Sequence, residues 1–257
     1  MHGDLSKAFD YYVIVRRISS KGSLVKVDTA RLNLTLTHFK NRHKGGRCFI
    51  VCNGPSLSEM DLTALSSEVV FGLNKIYLGL DRFGFYPRYL VVVNEKVIRQ
   101  SIDYFDKLTC VKFIGDRYAG YIKSDALNWR INSRLYVNDF SLDLNEGVQE
   151  GNTVTYAALQ IAYYMGFERV VIIGMDHRYS YQGGTNETQI LEGPDSNHFS
   201  DQYFQDLEWD TPDLQRSAIY YAKAREIFER DGRTIVDATL NGACEVFSKI
   251  DYAELFQ

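Results

Sequence analysis

Four polar residues suited to ligand binding each follow a separate apolar segment of the chain. They are Asn53, Asn74, Asn94 and Asp176. The apolar segments that precede them are residues 48–52, 69–73, 90–93 and 170–174. Short apolar segments separated by helical patterns favour a parallel sheet, and such sheets bind ligands at the carboxyl ends of their strands. Asparagine offers two donors and one acceptor without charge, so the pattern predicts a site for a nucleotide or a nucleotide-linked substrate. The alternative is that asparagine simply favours turns after strands.

The composition sets the class of protein. The chain has 257 residues, of which 45% are apolar and 24% charged, as in ordinary globular proteins. A net charge of −4 argues against a dedicated nucleic-acid binder. No apolar run is long enough to span a membrane and the first residues lack a signal-peptide pattern, so we expect a cytoplasmic protein. The basic segment 31–44 leaves open an association with the inner face of the membrane.

The hydrophobic pattern predicts an α/β fold. We expect one Rossmann-like domain over residues 46–257, with a mostly parallel sheet, helices on both faces and residues 1–45 as an N-terminal extension. The segment 170–174 is apolar throughout and should form a central strand. Further strands are expected at residues 111–114, 135–137 and 234–238. Helices are expected at residues 76–83, 97–108, 153–165 and 212–231, with the tail 245–256 on the surface. The four cysteines lack metal-ligand spacing, which predicts reduced thiols and no metal site.

Residues 177–212 show no strong periodicity and are rich in tyrosine, histidine and glycine. A long segment of this kind inside a compact domain is typically a lid or a binding loop, and we name it the lid segment. It contains His198, a candidate general base, because histidine titrates near neutral pH. A single histidine in a loop is more often structural, so both interpretations stay open.

Two turns are candidates for binding phosphate. Gly54 and Ser56 flank a proline directly after the first apolar segment, where a glycine permits close approach of the backbone to a ligand. The residues Gly151, Asn152 and Thr153 begin the clearest predicted helix, and helix N-termini attract phosphates. The chain contains no P-loop and no DxD triplet.

Four segments together resemble a known family. They are CNGPSL at 52–57, GLNKIY at 72–77, VVVN at 91–94 and EGNTVTYAALQIAYYMGFERVVIIGMDH at 150–177. Their order and spacing resemble the MptE-like domain family, which includes archaeal 6-hydroxymethyl-dihydropterin diphosphokinases and bacterial proteins of surface-polysaccharide loci. They are also similar to the bacterial sialyltransferases that use CMP-sialic acid. This resemblance implies a glycosyltransferase-A-like variant of the Rossmann-like fold.

The resemblance also implies roles for individual residues. Asn53, Asn74 and Asn94 would hold the phosphate, ribose and sugar of a donor, which residues 151–153 would also contact. Asp176 would lie by the ribose or the base. Tyr179 and Tyr181 would support the leaving phosphate, and His198 would deprotonate the acceptor, with Asp201 or Tyr203 as alternatives. The chain departs from the pattern at Cys52, where glycine is usual, and at residues 153–155, where Thr-Val-Thr replaces a Ser-Gly pair.

Three functions therefore compete. The first is a glycosyltransferase-like enzyme of bacterial surface-polysaccharide synthesis, without a required metal, that transfers a sugar from a nucleotide donor to a glycan or lipid-linked acceptor. A CMP-linked sugar is the candidate donor. The second is a diphosphokinase of the 6-hydroxymethyl-dihydropterin type that uses ATP and Mg²⁺. The third is a non-catalytic nucleotide-binding module. No nucleic-acid partner is expected, and a homo-oligomer is left open.

Overall fold

A parallel sheet forms the centre of the molecule. The computed structural model describes residues 35–118, 127–133 and 140–257. The strands are β1 (Arg47–Val51), β2 (Val70–Leu73), β3 (Tyr89–Val92), β4 (Val111–Gly115), β5 (Asn128–Ile131), β6 (Arg169–Ile173), β7 (Thr188–Ile190), β8 (Glu208–Asp210), β9 (Thr234–Asp237) and β10 (Ser248–Lys249). The α-helices are α1 (Leu80–Phe83), α2 (Glu95–Phe105), α3 (Val154–Tyr164) and α4 (Leu214–Arg230). Short 3₁₀ helices occupy Leu36–Phe39, Pro55–Glu59, Thr63–Ser67, Ile76–Gly79, Asp116–Tyr118 and Ala253–Phe256.

The strand order places a topological switch between β1 and β6. The eight-stranded sheet runs β10-β9-β6-β1-β2-β3-β4-β5, and its neighbouring strands pair in parallel. Strands β2 to β5 extend from one side of β1, whereas β6, β9 and β10 extend from the other. The predicted Rossmann-like fold is confirmed, and β6 lies inside the sheet as expected. Ligand sites in such sheets lie at the switch, beyond the carboxyl ends of the strands.

The two faces of the sheet bury separate cores. Along β1, Cys48 and Ile50 point into one core, while Phe49 and Val51 point into the other, because successive side chains of a strand alternate. The first core is covered by α3 and α4, and the second by α1 and α2. Helices thus cover both faces and hold the strand ends in place.

The lid segment contains more regular structure than the sequence indicated. Strands β7 and β8 form an antiparallel hairpin within it, so the expectation of an irregular loop is wrong in part. Lys96 of α2 bonds both strands of this hairpin: its Nζ lies 2.6 Å from Asp210 Oδ1 and 3.0 Å from Thr188 Oγ1. The hairpin is therefore attached to the helix that follows β3.

Three further differences concern the ends of the sheet. Strand β5 was not expected, although its residues alternate polar and apolar as in a half-buried strand, and the strand expected at 135–137 lies outside the described residues. The tail does not lie wholly on the surface, since β10 pairs with β9 and Leu255 is buried. Residues 35–45 also pack on the domain, where Phe39 contacts the Phe113 ring edge-on. The boundary at residue 45 stays a prediction.

Candidate functional site

A pocket of about 680 Å³ opens at the carboxyl ends of the strands. This volume lies in the range of small-molecule sites, about 300–1,000 Å³. Of the candidate residues, those that line it are Asn53, Gly54, Asn74, Asn94, Gly151, Asn152, Thr153, Asp176, Tyr179, His198 and Tyr203. Three candidates, Ser56, Tyr181 and Asp201, are not among the residues that line it. The sheet edge and the lid segment thus meet around one cavity.

The floor of the pocket is the junction of β1 and β6. The Ser56 amide and hydroxyl donate to the two carboxylate oxygens of Asp176, over 3.1 and 2.7 Å. Gly54 donates its amide to Gly174 O at 2.8 Å, and a Cβ added at Gly54 would lie 1.8 Å from Asp176 Oδ2. Burial raises the pKa of Asp176, while the Ser56 hydrogen bonds oppose that rise. Ser56 therefore acts by holding Asp176 rather than by lining the pocket.

The three asparagines have different surroundings. Asn94 caps α2, because its Oδ1 accepts from Val97 N at 3.1 Å. Asn74 has φ 48°, a left-handed conformation that asparagine tolerates better than most residues. The buried Oδ1 atoms of Asn53 and Asn74 have no hydrogen-bond partner within the described part of the chain. A buried acceptor without a partner costs free energy, so these two oxygens are available for a ligand donor.

His198 is oriented by a buried carboxylate. Its Nδ1 donates to Asp195 Oδ2 at 2.8 Å, and the Asp195 side chain is fully buried. The same Oδ2 accepts from Phe204 N at 3.1 Å, and Oδ1 accepts from Asn197 N at 2.8 Å. With Nδ1 used as a donor, Nε2 is the basic nitrogen of the neutral ring. This is the arrangement that a histidine general base requires.

Aromatic side chains surround the His198 ring. The Tyr203 ring stacks on it with centroids 4.0 Å apart and planes 3° apart, and Tyr179 meets it edge-on. Burial raises the pKa of the Tyr179 hydroxyl, so this hydroxyl stays protonated and can donate. Trp209 also lines the pocket, and its buried Nε1 has no partner in the described residues. Tyr181 does not line the pocket; its hydroxyl donates at 3.0 Å to the backbone oxygen of Pro212, a residue that does.

The start of α3 forms another wall. Gly151 and Asn152 have φ values of 56° and 60°, and Thr153 caps the helix by accepting from Thr155 N at 3.3 Å. Thr155 Oγ1 lies 3.4 Å from Cys52 Sγ. The two departures from the family pattern, at Cys52 and at residues 153–155, therefore contact each other across the pocket floor. Burial raises the pKa of Cys52 to about 12, so this thiol is not a nucleophile at neutral pH.

Charged groups at the pocket have both signs. Arg178 and Arg216 are exposed and line it, and Arg216 makes no ion pair with any described residue. At the β4 end, Arg117 pairs with Glu150 at 3.0 Å. The described residues contain no group of three or more histidine, cysteine or acidic side chains placed to hold a metal. The arginines can neutralise a phosphate near the lid segment.

Sequence reasoning missed Asp195. Its signal was present, since an aspartate three residues before His198 can bond both the intervening backbone and the ring. Such a spacing is common in loops, and only the folded lid segment distinguishes this pair. Lys75 was also missed, although it belongs to the GLNKIY segment.

Comparison with known proteins assigns the family. The family model described as "6-hydroxymethylpterin diphosphokinase MptE-like" matches residues 26–182. The chain belongs to the MptE-like family. No curated protein matches this MptE-like chain. Among the described residues, no helix has both the length and the apolarity to cross a membrane.

Solved structures that resemble this MptE-like protein include the following two. The MAf glycosyltransferase of Magnetospirillum magneticum AMB-1 has a TM-score of 0.51 and 13% identity, over 83% of this chain. The match covers only 37% of that glycosyltransferase. The sialyltransferase CstII of Campylobacter jejuni, in complex with the substrate analogue cytidine-5′-monophosphate, has a TM-score of 0.45 and 11% identity, over 80% of this chain and 85% of its own. At these identities the likeness to the Magnetospirillum structure is one of fold.

Proposed function

We propose that this protein is a glycosyltransferase that moves a sugar from a nucleotide donor, with a CMP-linked sugar as the first candidate, to a glycan or lipid-linked acceptor. The observation that carries the proposal is the His198–Asp195 pair at a pocket on the β1–β6 switch. The unpartnered Oδ1 atoms of Asn53 and Asn74 add acceptors for the hydroxyl groups of a nucleotide sugar. The Magnetospirillum glycosyltransferase supports the proposal by analogy of fold.

The mechanism would be a direct displacement. His198 Nε2 removes the proton of the acceptor hydroxyl, whose oxygen attacks the anomeric carbon of the donor sugar. The bond from that carbon to the phosphate oxygen breaks, and the nucleotide leaves with the electron pair. The protonated Tyr179 hydroxyl and the Arg216 guanidinium would stabilise the charge on the leaving phosphate. Asp195 would stabilise the imidazolium that forms on His198.

The test is release of CMP from a CMP-sugar, with and without a panel of glycan acceptors. We expect His198→Gln to lower turnover by about 10²-fold or more, because general-base catalysis contributes about 10²–10⁴-fold. The matched control is His38→Gln, which alters an exposed histidine whose Nδ1 lies 2.8 Å from the backbone oxygen of Thr35. Equal turnover in wild type and His198→Gln would refute the role of His198 as base.

A second candidate function is diphosphate transfer from ATP, which the description of the matching family favours. Mg²⁺ would then be held by Asp176 together with the phosphates of ATP, as is usual for Mg²⁺ sites with few protein ligands. The Asp176 carboxylate lines the pocket, but both of its oxygens already accept from Ser56. A turnover of ATP that depends on Mg²⁺ and is lost in Asp176→Asn would favour this function over sugar transfer.

A further inference from the structure

Lys75 is a buried lysine that the proposed reaction does not use. It lies two residues after the last residue of β2, and only 3% of its surface is exposed. Lysine is almost never fully buried unless it is paired. No described carboxylate lies within ion-pair distance of its Nζ. Burial lowers the pKa of Lys75 to about 8, although the negative charge of Asp195 acts to raise it. Packing alone does not account for this residue, because an apolar side chain of similar length would avoid the cost of desolvation.

The contacts of Lys75 converge on one part of the lid segment. Its Nζ donates to Tyr203 O at 2.7 Å and lies 4.6 Å from the centre of the Phe204 ring. Its backbone amide donates to the Tyr203 hydroxyl at 3.3 Å. Lys75 therefore binds both ends of Tyr203 and the face of the next ring, and these contacts attach residues 203–204 to the end of β2.

Residues 203 and 204 in turn hold the His198–Asp195 pair. The Tyr203 ring covers one face of the His198 ring, with centroids 4.0 Å apart. Phe204 N donates to Asp195 Oδ2, the same oxygen that accepts from His198 Nδ1. A displacement of residues 203–204 would change the ring plane of His198 and one of the hydrogen bonds that fix Asp195.

We propose that Lys75 is a positioning residue, which anchors residues 203–204 to β2 and thereby fixes the orientation of the His198–Asp195 pair. The inference does not depend on which reaction the pocket performs, since it concerns only the geometry of the pair. It assigns a role to the GLNKIY segment beyond that of Asn74.

The test needs no substrate. In the full chain, two signals report on the pair: the exchange rate of the Phe204 amide, and the downfield imidazole N–H resonance of His198, assigned by its loss in His198→Gln. In Lys75→Met we expect Phe204 exchange to become about tenfold faster or more and the His198 resonance to be lost, because a charge-assisted hydrogen bond is removed. Lys75→Arg, which keeps the charge and the donors, should restore part of both signals.

The matched control is Lys112→Met. Lys112 is also buried, with 1% of its surface exposed, and its Nζ donates to Leu108 O at 2.7 Å and to Cys110 O at 3.1 Å. It lies near the start of β4, whereas Lys75 follows the carboxyl end of β2, so the two lysines are at opposite ends of the strands. This variant should leave both signals unchanged. Unchanged signals in Lys75→Met, or an equal loss in Lys112→Met, would overturn the proposal. If Lys75→Met fails to fold, Lys75→Gln is measured instead against the same two outcomes. A failure of sugar transfer would leave these readouts untouched, so the two proposals are tested separately.

Discussion

Replacing Asp195 by asparagine tests the buried network beneath His198. The carboxylate accepts three hydrogen bonds, from Asn197 N at 2.8 Å, from His198 Nδ1 at 2.8 Å and from Phe204 N at 3.1 Å. An asparagine retains one acceptor oxygen and turns an NH₂ group toward at least one of these donors. Hydrogen bonds to charged groups contribute about 1.5–3 kcal/mol each, so the loss of one or two should lower the free energy of unfolding by about 2–4 kcal/mol.

Urea unfolding and calorimetry measure this loss. For a domain of this size the melting temperature should fall by about 5–15 °C, since 1 kcal/mol corresponds to about 2–4 °C. The matched control is Asp201→Asn, which makes the same change of charge on an exposed residue of the lid segment. We expect it to stay within about 0.5 kcal/mol of wild type. A similarly small effect of Asp195→Asn would refute the reasoning that the pair is a buried, fully bonded network.

Three further predictions concern the pocket floor, the buried lysine and the ligand. Gly54→Ala should lower the free energy of unfolding by about 3 kcal/mol in urea, because the new Cβ would lie 1.8 Å from Asp176 Oδ2, and an unchanged midpoint would contradict this contact. The pKa of Lys75 is lowered from 10.5 to about 8, so above pH 8 the unfolded chain binds more protons than the native one. The free energy of unfolding of wild type, relative to that of Lys75→Met, should therefore rise by up to about 3 kcal/mol between pH 8 and 10.5. If the free energies of unfolding of the two proteins change with pH in the same way, the lowered pKa of Lys75 is contradicted. Asn74→Ala should weaken nucleotide binding in calorimetry by about tenfold, because its free Oδ1 is lost, and equal affinity would remove Asn74 from the site.

The sequence predicted the strands that are buried on both faces and the residues that end them. Strands such as β1 and β6 are continuous apolar runs, and their carboxyl ends must meet in a parallel sheet. Strand β5 was not predicted: its four residues alternate polar and apolar, which is also a strand pattern, but they form no continuous apolar run like those of β1 and β6. Continuous apolar runs thus predicted the strands whose carboxyl ends form the site, whereas the short alternating pattern of β5 was overlooked.

The partners of the site residues were harder to predict from the sequence. The bond of Asp195 to His198 depends on the path of the lid segment, and Lys75 meets Tyr203 across 128 positions of the chain. Asn94, in contrast, has a local role that the sequence can predict: it follows a strand, and its side chain caps the start of α2. Local spacing predicts caps and turns, whereas contacts between distant segments can be identified only from the folded structure.

The measurement that tests the central claim most directly is calorimetric titration of the wild-type protein with CMP, with and without Mg²⁺, beside ATP under the same conditions. The account predicts that CMP binds without Mg²⁺ and that the affinity falls in Asn74→Ala. Binding of ATP alone, and only with Mg²⁺, would contradict sugar transfer and favour diphosphate transfer. Binding of neither nucleotide would contradict a nucleotide site at the carboxyl ends of β1 and β6.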